Sequence, residues 1–287
     1  MDGDKGYTDA LLLYHVRISR LGHTRLFSKT VIVSWKQMQN KVLAILFDFD
    51  DTLYTSPVSI SGIARKVLTQ LGLIHVSEMP DSKLIRLILD GPEAWLKQYM
   101  LTNNVSSKWQ PTYELWIQYC RILLTALGAS DVNDGMTNEL KSKWEEYGPP
   151  GRGLFRPQLV DRVELILEEL ESRGYRLGIS TNRFYSPEPV LAKDSIIKYF
   201  SCVEHTGVPG YEKPSPYMPL RFAIQVEINP LKCALVGNRI DTDVGAALNA
   251  GMTPVLANWN TKSQRNLHDG LLTANQIEDL LGFFPGI

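Results

Sequence analysis

Val42-Leu43-Ala44-Ile45-Leu46-Phe47-Asp48-Phe49-Asp50-Asp51-Thr52-Leu53-Tyr54 is an apolar run of strand length that empties into three carboxylates. A buried parallel strand reads this way when it carries a site at its C-terminal end. Like charges so close repel one another, and they are tolerable beside a divalent cation or when one of them keeps its proton. If strand geometry persists, Asp48 and Asp50 point the same way and Phe49 points into the fold. One carboxylate can then act as a nucleophile while the other moves a proton, as covalent phosphoryl transfer requires. The competing reading is a solvated acidic turn that caps a helix.

Composition frames the rest. With 287 residues, 44% of them hydrophobic and 21% charged, the chain is an ordinary globular protein of one large or two modest domains. A formal net charge of -1 gives no electrostatic case for nucleic acid or an anionic membrane as the main partner. Cys120, Cys202 and Cys233 are far apart and form no CxxC pair, so a reduced, cytoplasmic protein without structural zinc is expected. No apolar run has the length of a membrane span, and Met1-Asp2-Gly3-Asp4-Lys5 is not the opening of a secretory signal. From Ala10 to Phe47 there is no acidic residue, while Arg17, Arg20, Arg25, Lys29, Lys36 and Lys41 are all positive. Residues 1–40 therefore read as a poorly ordered N-terminal extension, with an organellar transit segment as the alternative and Met38 as a second candidate start.

After Tyr54 the pattern turns helical. Tyr113, Trp116, Ile117, Cys120, Leu123, Leu124 and Leu127 recur at steps of three and four before Gly128, which predicts one amphipathic helix. Leu84 with Ile88 and Trp95 with Tyr99 predict others, divided by Gly91-Pro92 and by Thr102-Asn103-Asn104. Gly148-Pro149-Pro150-Gly151-Arg152-Gly153 reads as a boundary linker. Helix and strand then alternate. Pro157 is expected to open a helix through Leu170 that ends at Gly174, and Tyr175 to Ile179 is the strand leading into Ser180-Thr181-Asn182-Arg183. Lys198 to Thr206 and Cys233 to Val236 are further strands, Val244 to Ala250 a helix and Thr253 to Ala257 a last strand, while Thr273 with Gln276 predicts a capping box for a final helix through Leu281. Repeated strand-loop-helix units predict a Rossmann-like parallel α/β sheet flanked by helices, with ligands bound beyond the carboxyl ends of its strands. The polar clusters at Asp48, Ser180 and Asn238 fall on that one edge, and residues 57–152 become an all-helical insertion able to close over it.

These clusters, in this order, resemble the haloacid dehalogenase superfamily, subfamily I-like, with a helical C1 cap. Asp48-Phe49-Asp50-Asp51-Thr52 matches its first motif, Ser180 its second, Lys213-Pro214 its third, and Gly237-Asn238-Arg239-Ile240-Asp241-Thr242-Asp243 its fourth. The resemblance implies a core of residues 41–56 and 153–287, a cap of residues 57–152, and a Mg²⁺-dependent phosphatase of a small phosphorylated metabolite. It implies that Asp48 is the nucleophile, that Asp50 is the acid and base, and that Ser180 and Lys213 bind the transferring group. Thr52, Thr181 and Asn182 are further phosphate-binding candidates, and Asp48, Asp50, Asp243 and Asn238 are metal-ligand candidates. Asn238 stands where the family has an aspartate, so an uncharged amide replaces a carboxylate ligand. A phosphomutase and a weakened binding or scaffold member stay open as alternatives. A monomer or homodimer without nucleic-acid or membrane partners is expected.

Overall fold

A computed structural model describes residues 42–147, 156–259 and 271–287. The expected N-terminal extension with Met38, and the linker Gly148 to Gly153, lie outside the described residues.

The opening apolar run forms strand β1 (Ala44–Phe47), and it sits at the middle of a parallel six-stranded sheet. The other strands are β4 (Arg176–Thr181), β5 (Phe200–His205), β6 (Cys233–Gly237), β7 (Thr253–Ala257) and β8 (Leu272–Ala274), in the order β5-β4-β1-β6-β7-β8. All side chains of β1 are buried because both faces of the sheet are covered. Ile45 and Phe47 face a core completed by Ile166, Leu167 and Leu170 of a helix over Val163–Ser172. Ala44 and Leu46 face the opposite layer, with Phe222 of a helix over Tyr217–Gln225 and Ala246 of a helix over Gly245–Ala250. The period-two alternation of one four-residue strand thus fills both layers. Phe47 lies level with Ile179 of β4 and Val236 of β6, so the residues that follow these three strands emerge side by side.

A short antiparallel ribbon of β2 (Tyr54–Thr55) and β3 (Gln158–Leu159) ties together the outgoing and returning chain of the helical segment. That segment contains helices over Ile60–Gln70, Asp81–Ile88, Ala94–Thr102, Tyr113–Ala126 and Asp134–Tyr147. It has its own core, with Leu68, Leu84, Leu123, Leu124 and Leu140 at its centre. Ser59 and Thr112 cap two of these helices by accepting from the backbone N–H groups of Gly62 and Leu115. The layer rests on the loops at the carboxyl edge of the sheet. Trp116 Nε1 donates to Tyr185 Oη at 2.7 Å, Ser107 Oγ lies 2.8 Å from Tyr217 Oη, and Trp109 meets Phe184 edge to face at 6.1 Å.

Two expectations need correction. Residues after Pro157 form β3 because they pair with the outgoing chain, Val160 N donating to Leu53 O at 2.9 Å, and the helix begins only at Val163. Thr273 lies in β8, held by pairing with β7, so no capping box forms; the last helix covers Asp279–Phe283, and Asp279 itself accepts from Asn275 N and Gln276 N. Gly91-Pro92 does divide two helices, as expected, but with no loop between them. A widened turn over Leu89–Glu93 absorbs the missing proline N–H and leads directly into the next helix.

Gly178 marks how closely the Tyr217–Gln225 helix packs on β4, since a Cβ there would lie 2.5 Å from Phe222 Cε2. Gly178→Ala should therefore cost about 1–3 kcal/mol through overpacking, read as a lower urea midpoint at unchanged slope.

Candidate active site

The four polar clusters converge where β1, β4 and β6 end. Strand β1 stops at Phe47, and Asp48 follows as a buried carboxylate whose N–H still bonds to Val236 O at 2.8 Å. Phe49 is fully buried, as expected. The two aspartates beside it part company, because the chain leaves strand geometry at this point. Asp48 is enclosed and Asp50 is half exposed, at 51% of its side chain.

Lys213 is the charge that makes Asp48 tolerable. Its ammonium lies 2.6 Å from Asp48 Oδ1, 2.6 Å from Asp243 Oδ1 and 2.8 Å from the Ser180 carbonyl oxygen, so its three donors are all used. Asn182 fixes the lysine's backbone, its Nδ2 donating to Lys213 O at 2.9 Å and its Oδ1 accepting from Lys213 N at 2.7 Å. Burial pulls the Lys213 ammonium toward losing its proton, but Asp48 and Asp243 outweigh it and hold the group above the ordinary lysine value. Asp48 is pushed up to about 7 by burial, opposed by Lys213 and reinforced by Asp243 and Asp50. One cation shared by two enclosed anions leaves a negative charge in excess.

Asp243 reaches Lys213 through a glycine. A Cβ on Gly237 would lie 2.4 Å from Asp243 Cγ, so the end of β6 must be bare for the carboxylate to pass. Both Asp243 oxygens are committed, Oδ1 to Lys213 and Oδ2 to Arg239 N at 2.9 Å. Asp243, expected from the sequence as a metal ligand, is held here by the buried ammonium and the Arg239 N–H. Asp241 turns outward and pairs with Arg239. Asn238 is buried at the end of β6.

Ser180 differs from expectation. Its Oγ lies against Met218 Sδ at 3.9 Å, on the side of the sheet where Gly178 meets Phe222, and only its backbone carbonyl enters the cluster. Strand alternation directs the next side chain, buried Thr181, to the other face. Thr52 Oγ1 donates to Asp48 Oδ2 at 3.2 Å, and Trp259 Nε1 holds the Thr52 carbonyl at 2.9 Å. One residue escaped the sequence reading. Arg183 forms a two-point pair with Asp50, Nε to Oδ2 at 2.7 Å and Nη2 to Oδ1. Its position directly after the polar strand end was the only available signal.

A hard cation would find oxygen donors here at reduced charge. Asp48 Oδ2 accepts from a neutral hydroxyl, and buried Asn238, at the end of β6, carries an uncharged amide where a carboxylate would bring charge. Among the described residues no group of three or more His, Cys, Asp or Glu side chains is placed together to hold a metal ion.

A family model described as haloacid dehalogenase-like hydrolase matches residues 42–251. The chain is 27% identical over 230 residues to glyceraldehyde 3-phosphate phosphatase of Methanothermobacter thermautotrophicus, a match that covers 78% of this chain and 89% of that protein. It is 22% identical over 233 residues to N-acylneuraminate-9-phosphatase of Mus musculus, covering 79% and 85%. The solved 2-haloacid dehalogenase of Pseudomonas syringae pv. Tomato DC3000 aligns at a TM-score of 0.55 and 20% identity, over 84% of this chain and 97% of that one, a likeness of fold.

The excess charge gives a pH signature. The Asp48 value of about 7 lies above its ordinary 3.8, so this group's contribution to stability is complete below 3.8 and is lost as pH rises through about 7. Asp48→Asn cannot ionise and leaves Lys213 paired one to one with Asp243. In chelator, the variant should gain on the wild type from acid to mildly alkaline pH, by on the order of 2 kcal/mol. Urea unfolding across that range checks it, and a constant difference would count against the crowded carboxylate.

Proposed function

The chain belongs to the haloacid dehalogenase-like hydrolases, and from that premise we propose that it is a Mg²⁺-dependent phosphatase of a small phosphorylated metabolite, acting through an aspartyl-phosphate on Asp48. The observation that carries this reading is the buried Lys213 ammonium held at 2.6 Å between Asp48 and Asp243, at the edge where β1, β4 and β6 end. A cation so placed orients the nucleophile, and it can follow the phosphoryl oxygens as charge moves onto them. The two phosphatase relatives support the same class of substrate, a small phosphorylated compound.

In this reading Asp48 attacks phosphorus, and the bond to the leaving oxygen breaks as Asp50 delivers a proton to that oxygen. Water then attacks the aspartyl-phosphate while Asp50 takes back a proton, which frees phosphate and restores Asp48. Thr52 fixes the rotamer of the nucleophile by its hydrogen bond to Oδ2. Thr181, rather than the hydroxyl of Ser180, binds a phosphoryl oxygen together with Lys213, and Asn182 holds the lysine loop in place. Asp48, Asn238 and the Asp50 backbone carbonyl would hold Mg²⁺, which when bound offsets the charge of nucleophile and phosphate. The helical layer serves as a cap, and its contacts with Phe184, Tyr185 and Tyr217 are where it meets the core.

A panel of phosphate monoesters with and without Mg²⁺ tests the class of reaction. Asp48→Asn should reduce turnover to background while the circular dichroism spectrum is kept, and wild-type turnover by that variant would sink the mechanism. Asn238→Asp should tighten Mg²⁺ binding by about tenfold, near 1.4 kcal/mol, measured by calorimetry as well as by the half-saturating concentration for activity. Equal affinities would place residue 238 outside the metal's shell.

A further inference from the structure

Asp50 is not left to find its own position. Arg183 emerges just after β4, and its guanidinium grips both carboxylate oxygens of Asp50, Nε on Oδ2 and Nη2 on Oδ1. The Arg183 side chain is 14% exposed, whereas Asp50 is 51% exposed. The arginine is therefore the fixed partner and the aspartate the one that faces solvent. Three supports hold the arginine. Its carbonyl accepts from His205 Nδ1 at 3.3 Å, and the preceding Asn182 is bonded twice to the Lys213 backbone. Its guanidinium lies over the ring of Phe49, 4.6 Å from the centroid. Phe49 in turn stacks on Tyr54 at 4.5 Å and 17°, and Tyr54 Oη donates to Asp194, which also pairs with Arg156.

An enclosed arginine with a two-point grip is unlike an ordinary surface ion pair, and its place beside the strand ends points to chemistry. A guanidinium fork fixes the plane of a carboxylate as well as its place, which a lysine does not do. We propose that Arg183 is the positioning residue of the acid and base, holding the Asp50 carboxyl where it meets the leaving oxygen. The inference rests on the phosphatase reading above. As Asp48 Oδ bonds to phosphorus, the electron pair of the breaking P–O bond goes to the leaving oxygen, and the proton of the Asp50 carboxyl goes with it. The carboxylate left behind faces the guanidinium, which complements the charge that proton transfer creates. Arg183 touches neither phosphorus nor the transferred oxygens and works only through Asp50.

Leaving groups of different basicity test this. A simple alkyl phosphate needs its oxygen protonated, whereas 4-nitrophenyl phosphate departs as a stable anion with far less need of an acid. In Arg183→Met, kcat/KM for the alkyl ester should fall about a hundredfold and that for the aryl ester about threefold or less. Arg183→Lys, which keeps the charge and loses the fork, should show the same selective loss to a smaller extent. In an Asp50→Asn background, Arg183→Met should cost nothing further, since the two residues act as one unit. Equal losses on both esters in the Met and Lys variants, or losses that add to those of Asp50→Asn, would overturn the role of Arg183. A wild type that cleaves neither ester in Mg²⁺ would overturn the phosphatase reading itself.

Discussion

One buried ammonium governs this structure. Lys213 sits between two carboxylates that come from different strands, Asp48 beyond β1 and Asp243 beyond β6, and it takes a third contact from the backbone at the end of β4. Removing a charge from water is costly unless geometry and hydrogen bonds compensate, and here every lysine donor is used. The cluster therefore works only if the three strands end level with one another. Their register, Phe47 beside Ile179 and Val236, meets that demand. The close approach of Asp243 to Gly237 and the double hydrogen bond from Asn182 to the lysine backbone serve the same end. Energy that could have stabilised the fold is held instead in an anion-rich pocket, which is the usual exchange of stability for chemistry.

Much of this was legible in the residues themselves. An apolar run ending in aspartates reads as a buried parallel strand or as an acidic turn capping a helix, and β1 takes the central strand's place. Strand ends carrying Ser180 and Asn238 read as one edge for the same reason. What the residues concealed was set by neighbours distant in sequence. Ser180 and Thr181 are equivalent hydroxyls on paper, and only Met218 and Phe222 packing against one face of β4 show that the serine hydroxyl turns away. The pairing of Asp243 with Lys213 joins two motifs that the sequence leaves apart. Pro157 and Thr273 carry genuine helix-start signals, yet strand partners outcompeted them, as tertiary pairing routinely overrides local preference. The grip of Arg183 on Asp50 joins residues far apart in the chain, beyond any local pattern.

The helical layer adds a second level of organisation. It carries its own apolar core, and it meets the loops beyond the sheet through a further apolar cluster in which Leu96 and Met100 pack with Val208, Phe184 and Tyr211. The β2–β3 ribbon is where the chain leaves and re-enters, and Tyr54 on that ribbon stacks on Phe49 between the two aspartates. Phe49 thus links the β2–β3 ribbon to both aspartates.

The central claim is that Asp48, enclosed and held by Lys213, forms a covalent bond to phosphorus. Mass spectrometry of the protein quenched in acid during turnover of a phosphate ester, followed by fragmentation of the modified peptide, tests it most directly. One phosphoryl group on Asp48, absent from unreacted protein, is the expected result. Phosphate on another residue, or turnover that leaves every sampled time point unmodified while a trapped analogue also fails to mark Asp48, would contradict it.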